Sequence, residues 1–321
     1  MDHKRTLRRL NTQWNLAARK AKKVSIIGFK DVPIYYVVSF FLKGLINGNI
    51  TTRASAVAFS FFIAIFPTII FVFTLIPFIP ITNFQVELLS LIKDIIPRNA
   101  FELVEETLVD VITRKSSGLL SFGFVAAIFF SHNGISSLID AFNATYHTIE
   151  SRGFFMQHLV SFILTFVLAL LTMVAVTLIF LGQLGLNFFV EKHWIQVNFT
   201  YYLIVYGRWF VTIALVFFSV SLLYYMAPAK REKFTFISLG SIMATLLIML
   251  TSIGFSYFVN NFGQYNTLYG SIGSILALMA WMYFNALVLM VGFELNASIK
   301  SAGIQVLKNN SDLQNGEKKI N

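Results

Sequence analysis

Six long apolar segments constrain this chain more than any other feature of its sequence. They cover approximately residues 54–79, 119–141, 155–181, 209–227, 234–259 and 269–297. Each is long enough to cross the hydrocarbon core of a bilayer, which is roughly 30 Å thick and needs about 20 helical residues. Because a backbone in lipid must satisfy its own hydrogen bonds, such segments form helices there. The sequence therefore predicts an all-α membrane protein with six transmembrane helices.

The composition excludes a soluble globule. Hydrophobic residues make up 56% of the 321 residues and charged residues only 12%, which leaves too little polar surface for a soluble chain of this length. The chain has no cysteine, so neither a disulfide framework nor thiolate chemistry is available. The N-terminus is too polar for a cleavable signal peptide, and we expect the first span to insert and stay in the membrane.

The distribution of positive charge predicts the orientation. With a cytoplasmic N-terminus, 19 of the 25 Lys and Arg residues lie inside: eleven up to Arg53, Arg152, three in residues 230–233 and four after Ala297. This bias follows the positive-inside rule and places both termini in the cytoplasm. We therefore expect a multi-pass membrane protein whose long N-terminal basic tail lies on the cytoplasmic side. The basic tail is expected to contact anionic lipid headgroups, and no nucleic acid partner is expected.

Three regions are expected along the chain. Residues 1–33 form a basic cytoplasmic tail, residues 34–300 form the membrane domain, and residues 301–321 form a polar cytoplasmic tail that is disordered from Asn309 onward. The apolar stretch 34–46 is too short to span and predicts an interfacial helix on the inner face. Residues 81–116 predict a small extracytoplasmic helical cap, because apolar residues recur there at spacings of three and four.

Four charged residues are expected to meet near the cytoplasmic ends of the spans: Arg53, Asp140, Arg152 and Glu294. A carboxylate at membrane depth is costly without a compensating cation, which favours a structural network that locks the helix ends together. The alternative is that Asp140 and Glu294 titrate and couple protons or substrate to a transport step.

Polar side chains also share faces on the second and sixth spans. The candidate lining of a cavity between these spans consists of Asn133, Ser137, Asn143, Ser274, Trp281, Asn285 and Asn296. Helix packing through small residues and interhelical hydrogen bonds explains the same pattern and remains open as the alternative. Pro67, Gly270 and Gly273 are candidate hinge positions, because proline removes a helical hydrogen bond and glycine permits close packing.

Catalytic and cofactor sites are not indicated. His132 and His158 lie on different spans without a carboxylate at ligand spacing, so no metal site is predicted. No nucleophile elbow or glycine-rich phosphate loop is present, and we expect no cofactor.

Four stretches resemble the YihY or BrkB family of membrane proteins, which once carried the label ribonuclease BN. They are RASAVAFSFFIAIFP from Arg53, LIDAFNATYHTIESRGFF from Leu138, YYMAPAKREKF from Tyr224 and FGQYNTLYGSIGSILALMAWMYFNALVLMVGFELNA from Phe262. The resemblance marks as signature positions Arg53, Pro67, Asp140, Asn143, Glu150, Arg152, Pro228, Tyr269, Gly270, Gly273, Trp281, Tyr283, Gly292, Glu294 and Asn296. The SHNG stretch from Ser131 departs from the family pattern.

The resemblance implies a six-span inner-membrane protein with links to envelope integrity. Our leading hypothesis is a protein that binds or transports an amphipathic or lipid-linked envelope substrate through a partly polar cavity. The alternative is a non-transporting envelope or scaffold protein. A ribonuclease is the third reading, for which the residues offer no metal site and no basic and aromatic groove. The sequence does not indicate the oligomeric state.

Overall fold

The computed structural model describes residues 32–78, 109, 115–145, 148–149, 152–191, 199–229, 236–261 and 263–317. Seven α-helices lie within these residues: α1 (Ile34–Asn47), α2 (Ile50–Leu75), α3 (Ser117–Asn143), α4 (Phe154–Glu191), α5 (Phe199–Met226), α6 (Leu239–Asn261) and α7 (Gly263–Glu317). A single 3-10 turn, Ile76–Phe78, follows α2. Between α3 and α4, the two-residue strands β1 (Ala144–Thr145) and β2 (Thr148–Ile149) pair antiparallel, with Ala144 opposite Ile149.

The predicted fold class is confirmed. The six helices α2 to α7 are long and apolar enough to cross a membrane, whereas α1 has 14 residues and is too short. Residues 34–46 are helical as expected, while the position of α1 at the membrane interface stays a prediction. The expected cap at 81–116 and the basic tail fall almost entirely outside the described residues.

Local sequence sets several helix ends. Gly48 and Asn49 separate α1 from α2, and Asn49 has the left-handed backbone angle φ of 48° that asparagine tolerates better than most residues. At the start of α3, the Ser116 hydroxyl accepts a hydrogen bond from the Leu119 amide at 3.4 Å. Helix α2 continues through Pro67, which therefore does not end it.

Three helices extend further than the sequence predicts. The connection between the spans expected at 155–181 and 209–227 is instead helical up to Glu191 and again from Phe199. The expected disorder from Asn309 is wrong for its first residues, because α7 continues to Glu317. An established helix gains one hydrogen bond for each residue added, and no proline interrupts either stretch. The predicted boundary at residue 300 is therefore not a structural break.

The six long helices form a closed ring in chain order. Each packs against its sequence neighbour, and α7 completes the ring by packing against α2. The closest pairs are α2 with α3 and α6 with α7, while α1 packs along the inner part of α7. We call the inner end of the ring the end that contains the α1–α2 turn, the α3–α4 hairpin and the start of α6.

Burial differs strongly between the two ends of the ring. The buried core at the inner end receives side chains from all six long helices, including Val57, Leu138, Leu164, Tyr224, Ala244 and Met290. Towards the outer end, no described residue is buried in 165–178 of α4, 246–258 of α6 or 275–285 of α7. Helices α2 and α3 keep close contact there, where a Cβ at Gly123 would lie 3.1 Å from the Phe71 backbone, and α4 meets α5, where a Cβ at Gly182 would lie 2.9 Å from the Arg208 side chain. The described residues of α4, α6 and α7 are therefore less buried towards the outer end of the ring than at its inner end.

Candidate inner charge cluster and substrate path

A buried ion pair joins α2 to α7 at the inner end. Arg53 Nη2 lies 3.4 Å from Glu294 Oε2, and the two side chains are 11% and 0% exposed. Arg53 Nη1 also donates to the carbonyls of Ala141 at 2.7 Å and Ala144 at 3.2 Å. Carbonyls in the last turn of a helix lack helical donors and carry partial negative charge, which the guanidinium satisfies. The Arg53 side chain, in the first turn of α2, thus fastens the end of α3 and the interior of α7.

Helix α1 covers the Glu294 carboxylate. Gly44 lies so close to it that a Cβ at this position would overlap the carboxylate oxygen. The helix ends immediately afterwards, where the Gly48 amide donates to the Gly44 carbonyl at 2.9 Å. Glycine is needed here because α1 and α7 approach each other across the carboxylate. This contact joins residues 250 positions apart in the chain and is not apparent from the sequence.

The structure divides the predicted four-residue network. Among the described residues, Asp140 is exposed and accepts a hydrogen bond from Gln157 of α4, not from an arginine. Arg53 instead binds the backbone that follows Asp140, at the Ala141 and Ala144 carbonyls. Arg152 donates to the carbonyls of Met226 and Pro228 at the end of α5. The Arg53–Glu294 contact agrees with the sequence prediction, whereas the described partners of Asp140 and Arg152 are different.

Two of the candidate cavity residues hold helix ends. Asn143 accepts from the Ala229 amide at 2.9 Å and lies 3.5 Å from the Ala227 carbonyl, so it fastens the segment after α5. Asn296 accepts from the Gly240 amide at 2.9 Å and donates to Ser238 at 2.8 Å, so it caps α6. Buried amides that exchange hydrogen bonds with a backbone rigidify it.

The remaining candidates lie nearer the middle of the ring. Asn285 donates to the Trp281 carbonyl of its own helix at 2.8 Å, and the Trp281 ring lies 6.1 Å from that of Phe255. Both are half-buried, and they lie on the outer side of the core residue Met290. On α3, Asn133 is exposed and Ser137 is half-buried. Helices α3 and α7 meet through the rings of Phe142 and Phe293, stacked at 4.4 Å, and a shared polar space between them stays a prediction.

The hinge candidates lie inside continuous helices. Pro67 is half-buried within α2, and Gly273 is buried within α7. Gly270 also belongs to α7. The Ser274 side chain is not described. A hinge at any of these positions stays a prediction.

A pair of histidines is the main feature that the sequence analysis misses. His132 Nε2 of α3 and His158 Nδ1 of α4 lie 3.0 Å apart. One feature of the sequence could have indicated this contact, because the two histidines lie on consecutive antiparallel spans. Asp140 and Gln157, which lie on the same two spans, also form a hydrogen bond. No group of three or more His, Cys, Asp or Glu residues suited to a metal occurs in the described part of the chain.

Comparison with known proteins identifies the family. Residues 41–315 match the family model described as Virulence factor BrkB. The chain belongs to this family. As the resemblance implied, the match includes Arg53, Arg152, Glu294 and Asn296, which all make contacts at the inner end.

Three relatives of this BrkB-family chain have related names. It is 31% identical over 255 residues to the putative ribonuclease-like protein YfkH of Bacillus subtilis, covering 77% of this chain and 88% of the relative. It is 26% identical over 226 residues to a UPF0761 membrane protein of Idiomarina loihiensis, covering 70% and 75%. A UPF0761 membrane protein of Haemophilus influenzae is 22% identical over 272 residues, covering 83% and 96%. No solved structure matches the chain.

Proposed function

We propose that this integral membrane protein binds or transports an amphipathic or lipid-linked envelope substrate. The observation that carries the proposal is the difference in packing between the two ends of the ring. At the inner end all six spans bury side chains in one core. In three spans, stretches of more than ten residues towards the outer end contain no buried residue. A helix that packs tightly along one face buries residues at spacings of three and four. Because these stretches bury none, we infer that the interior of the ring is loosely filled towards its outer end.

The chemistry at the base of this region suits an amphipathic ligand. Asn285 supplies an amide, and Trp281 with Phe255 supplies flat aromatic surface. A pocket with mostly apolar walls and few polar groups can hold acyl chains and fix the position of a headgroup. The exposed Asn133 of α3 adds a second amide at membrane depth. We further propose a bacterial inner-membrane location, with both termini cytoplasmic and the basic tail at anionic headgroups.

A scaffold without transport activity is the second candidate. It is favoured by Asn143 and Asn296, which use their amides to hold helix ends. A scaffold would need this rigidity and no substrate path. A nuclease is not proposed, because its only support is the ribonuclease-like name of a relative at 31% identity.

Reconstitution separates the two candidates. The purified protein would be placed in liposomes containing phosphatidylglycerol with a fluorescent headgroup or acyl label, and transbilayer movement would be followed by dithionite quenching. We expect movement above that of empty liposomes, and its loss in Asn285→Leu with unchanged reconstituted amount. Phe284→Leu is the matched control, because Phe284 is the neighbouring residue and is exposed at the ring surface. A fully active Asn133→Leu/Asn285→Leu double variant would exclude a path at these residues.

A further inference from the structure

The two imidazoles at the α3–α4 interface bind each other. His132 Nε2 and His158 Nδ1 lie 3.0 Å apart, with ring centroids separated by 5.3 Å and planes inclined by 31°. The only hydrogen bond that the described residues give to either ring is this one. One ring must donate and the other must accept, so the neutral pair holds a single proton between its two facing nitrogens. His132 lies eleven residues from the last residue of α3, or about 16 Å into the bundle.

Two phenylalanine rings lie beside the pair. The Phe154 ring lies 4.4 Å from His158, and the Phe162 ring lies 6.5 Å from His132. The second ring nitrogen of His132, Nδ1, is buried without a hydrogen-bond partner in the described part of the chain. A buried imidazole nitrogen with no partner is unusual and needs an explanation, such as a role in proton transfer.

The charged and titratable groups of the adjoining elements are engaged elsewhere. Asp140, on α3 itself, is bound by Gln157. Arg53 of α2 binds Glu294 and the end of α3, and Arg152 before α4 binds the end of α5. The titratable groups of α5 are Arg208 and the tyrosines 201, 202, 206, 224 and 225, of which Tyr224 donates to the Leu289 carbonyl at 2.7 Å. No described carboxylate or guanidinium contacts either imidazole.

We propose that His132 and His158 together form a binding site for one proton. In the neutral pair, the donor ring keeps a lone pair on its second nitrogen, which is His132 Nδ1 or His158 Nε2 according to the tautomer. An incoming proton binds there, and the pair becomes an imidazolium that donates to a neutral imidazole. This charge-assisted hydrogen bond is stronger than the neutral one. A second proton would place two cations 3.0 Å apart in an apolar setting and is therefore not taken up.

The site can also pass a proton from one side to the other. When a proton binds His158 Nε2, the shared proton moves from His158 Nδ1 to His132 Nε2, and His132 Nδ1 releases the next. The pair returns to a neutral state with its hydrogen bond reversed. If the proposed transport function holds, this site would couple substrate movement to a proton gradient. Proton binding itself does not depend on that function.

Proton counting tests the site. Proton uptake of the purified full chain would be measured from about pH 8 to pH 5, the range in which histidines titrate. The wild type would be compared with His132→Gln, His158→Gln and the double variant, and the other three histidines of the chain are common to all four. We expect the wild type and both single variants to take up the same number of protons, and the double variant one fewer. Independent histidines would instead give the wild type one more than each single variant, and an inert pair would give four equal counts; either result overturns the proposal.

A second measurement uses only the wild-type protein, so it does not depend on whether the variants fold. With 15N-labelled histidine, both imidazoles of the pair should change together on acidification and share one positive charge. Two separate full protonations would contradict the proposal. Titration with ZnCl₂ provides a further check, because a zinc ion held by both histidines would make the pair a metal site instead.

Lipid movement under a pH gradient separates this proposal from the proposed function. Gradient-dependent movement that the double variant loses supports coupling at this pair. Lipid movement that is the same with and without the pH gradient contradicts the proposed coupling. If neither the wild type nor any variant moves lipid while the proton counts agree with a one-proton pair, the proton site stands and the proposed transport function fails.

Discussion

At the scale of single residues, the inner end depends on charges that are matched inside the protein. Arg53 and Glu294 could be predicted as partners, since both lie at the inner ends of the apolar segments in the sequence and a buried carboxylate needs a cation. The His132–His158 contact could not, because a linear sequence gives no rotation of α3 relative to α4. The same uncertainty misassigned Asp140, whose described partner is the uncharged Gln157.

Removing Arg53 should destabilise the fold strongly. Arg53→Met removes the described ion pair with Glu294 and the donor to the Ala141 and Ala144 carbonyls, so we expect a loss of about 3–5 kcal/mol. Glu294→Gln should cost less, because it removes the charge together with its need for a partner. Unfolding in detergent or nanodiscs measures both. Lys43→Met, which removes an exposed cation from α1, is the control and should change little. Equal stability of the three variants would contradict the role of the ion pair.

Gly44 should not tolerate a side chain. A methyl group at Gly44 overlaps the Glu294 carboxylate, so Gly44→Ala should force α1 away from α7 and cost about 1–3 kcal/mol. Gly254→Ala in α6 is the matched control, because a Cβ there meets no atom within 4 Å and alanine favours a helix. Thermal unfolding compares the two. A Gly44→Ala protein as stable as the control would show that α1 does not rest on the carboxylate.

At the scale of helices, the number and type of elements could be predicted, but their ends could not. Apolar length identifies α2 to α7, because a span must match the bilayer. It does not show where a helix stops outside the lipid, which explains why α7 continues to Glu317 past the expected boundary. The inner helix ends are held by side chains that are distant in the sequence. Asn296 of α7, for example, accepts a hydrogen bond from Gly240 at the start of α6, and such contacts form only in the folded chain.

The segment after α5 should loosen when its amide partner is removed. Asn143→Ala eliminates the acceptor for the Ala229 amide, so residues 227–229 should open more often. We expect faster tryptic cleavage at the adjacent Lys230, Arg231 and Lys233 in membranes that expose the inner end. The control is Asn133→Ala, which removes an exposed amide on the same helix. Identical cleavage rates for the two variants would show that Asn143 does not hold this segment.

At the scale of the whole molecule, orientation and packing define how the ring would act. The charge bias predicts that the inner end faces the cytoplasm. Reporter fusions after Ser301 and at Ser117 test this, and we expect a cytoplasmic signal at Ser301 and an extracytoplasmic one at Ser117. The reverse pattern would invert the ring, and the loosely packed end would then open to the cytoplasm.

The central claim is that the ring is closed at its inner end and accessible towards its outer end as far as Asn285. The chain has no cysteine, so single cysteines can be introduced without background. Intact cells would be treated with a membrane-impermeant thiol reagent, which reacts only with thiols that meet water. We predict labelling of Asn285→Cys, and none of Phe284→Cys at the lipid-facing surface or of Met290→Cys in the buried core. An unlabelled Asn285→Cys, or a Met290→Cys labelled equally well, would contradict the account.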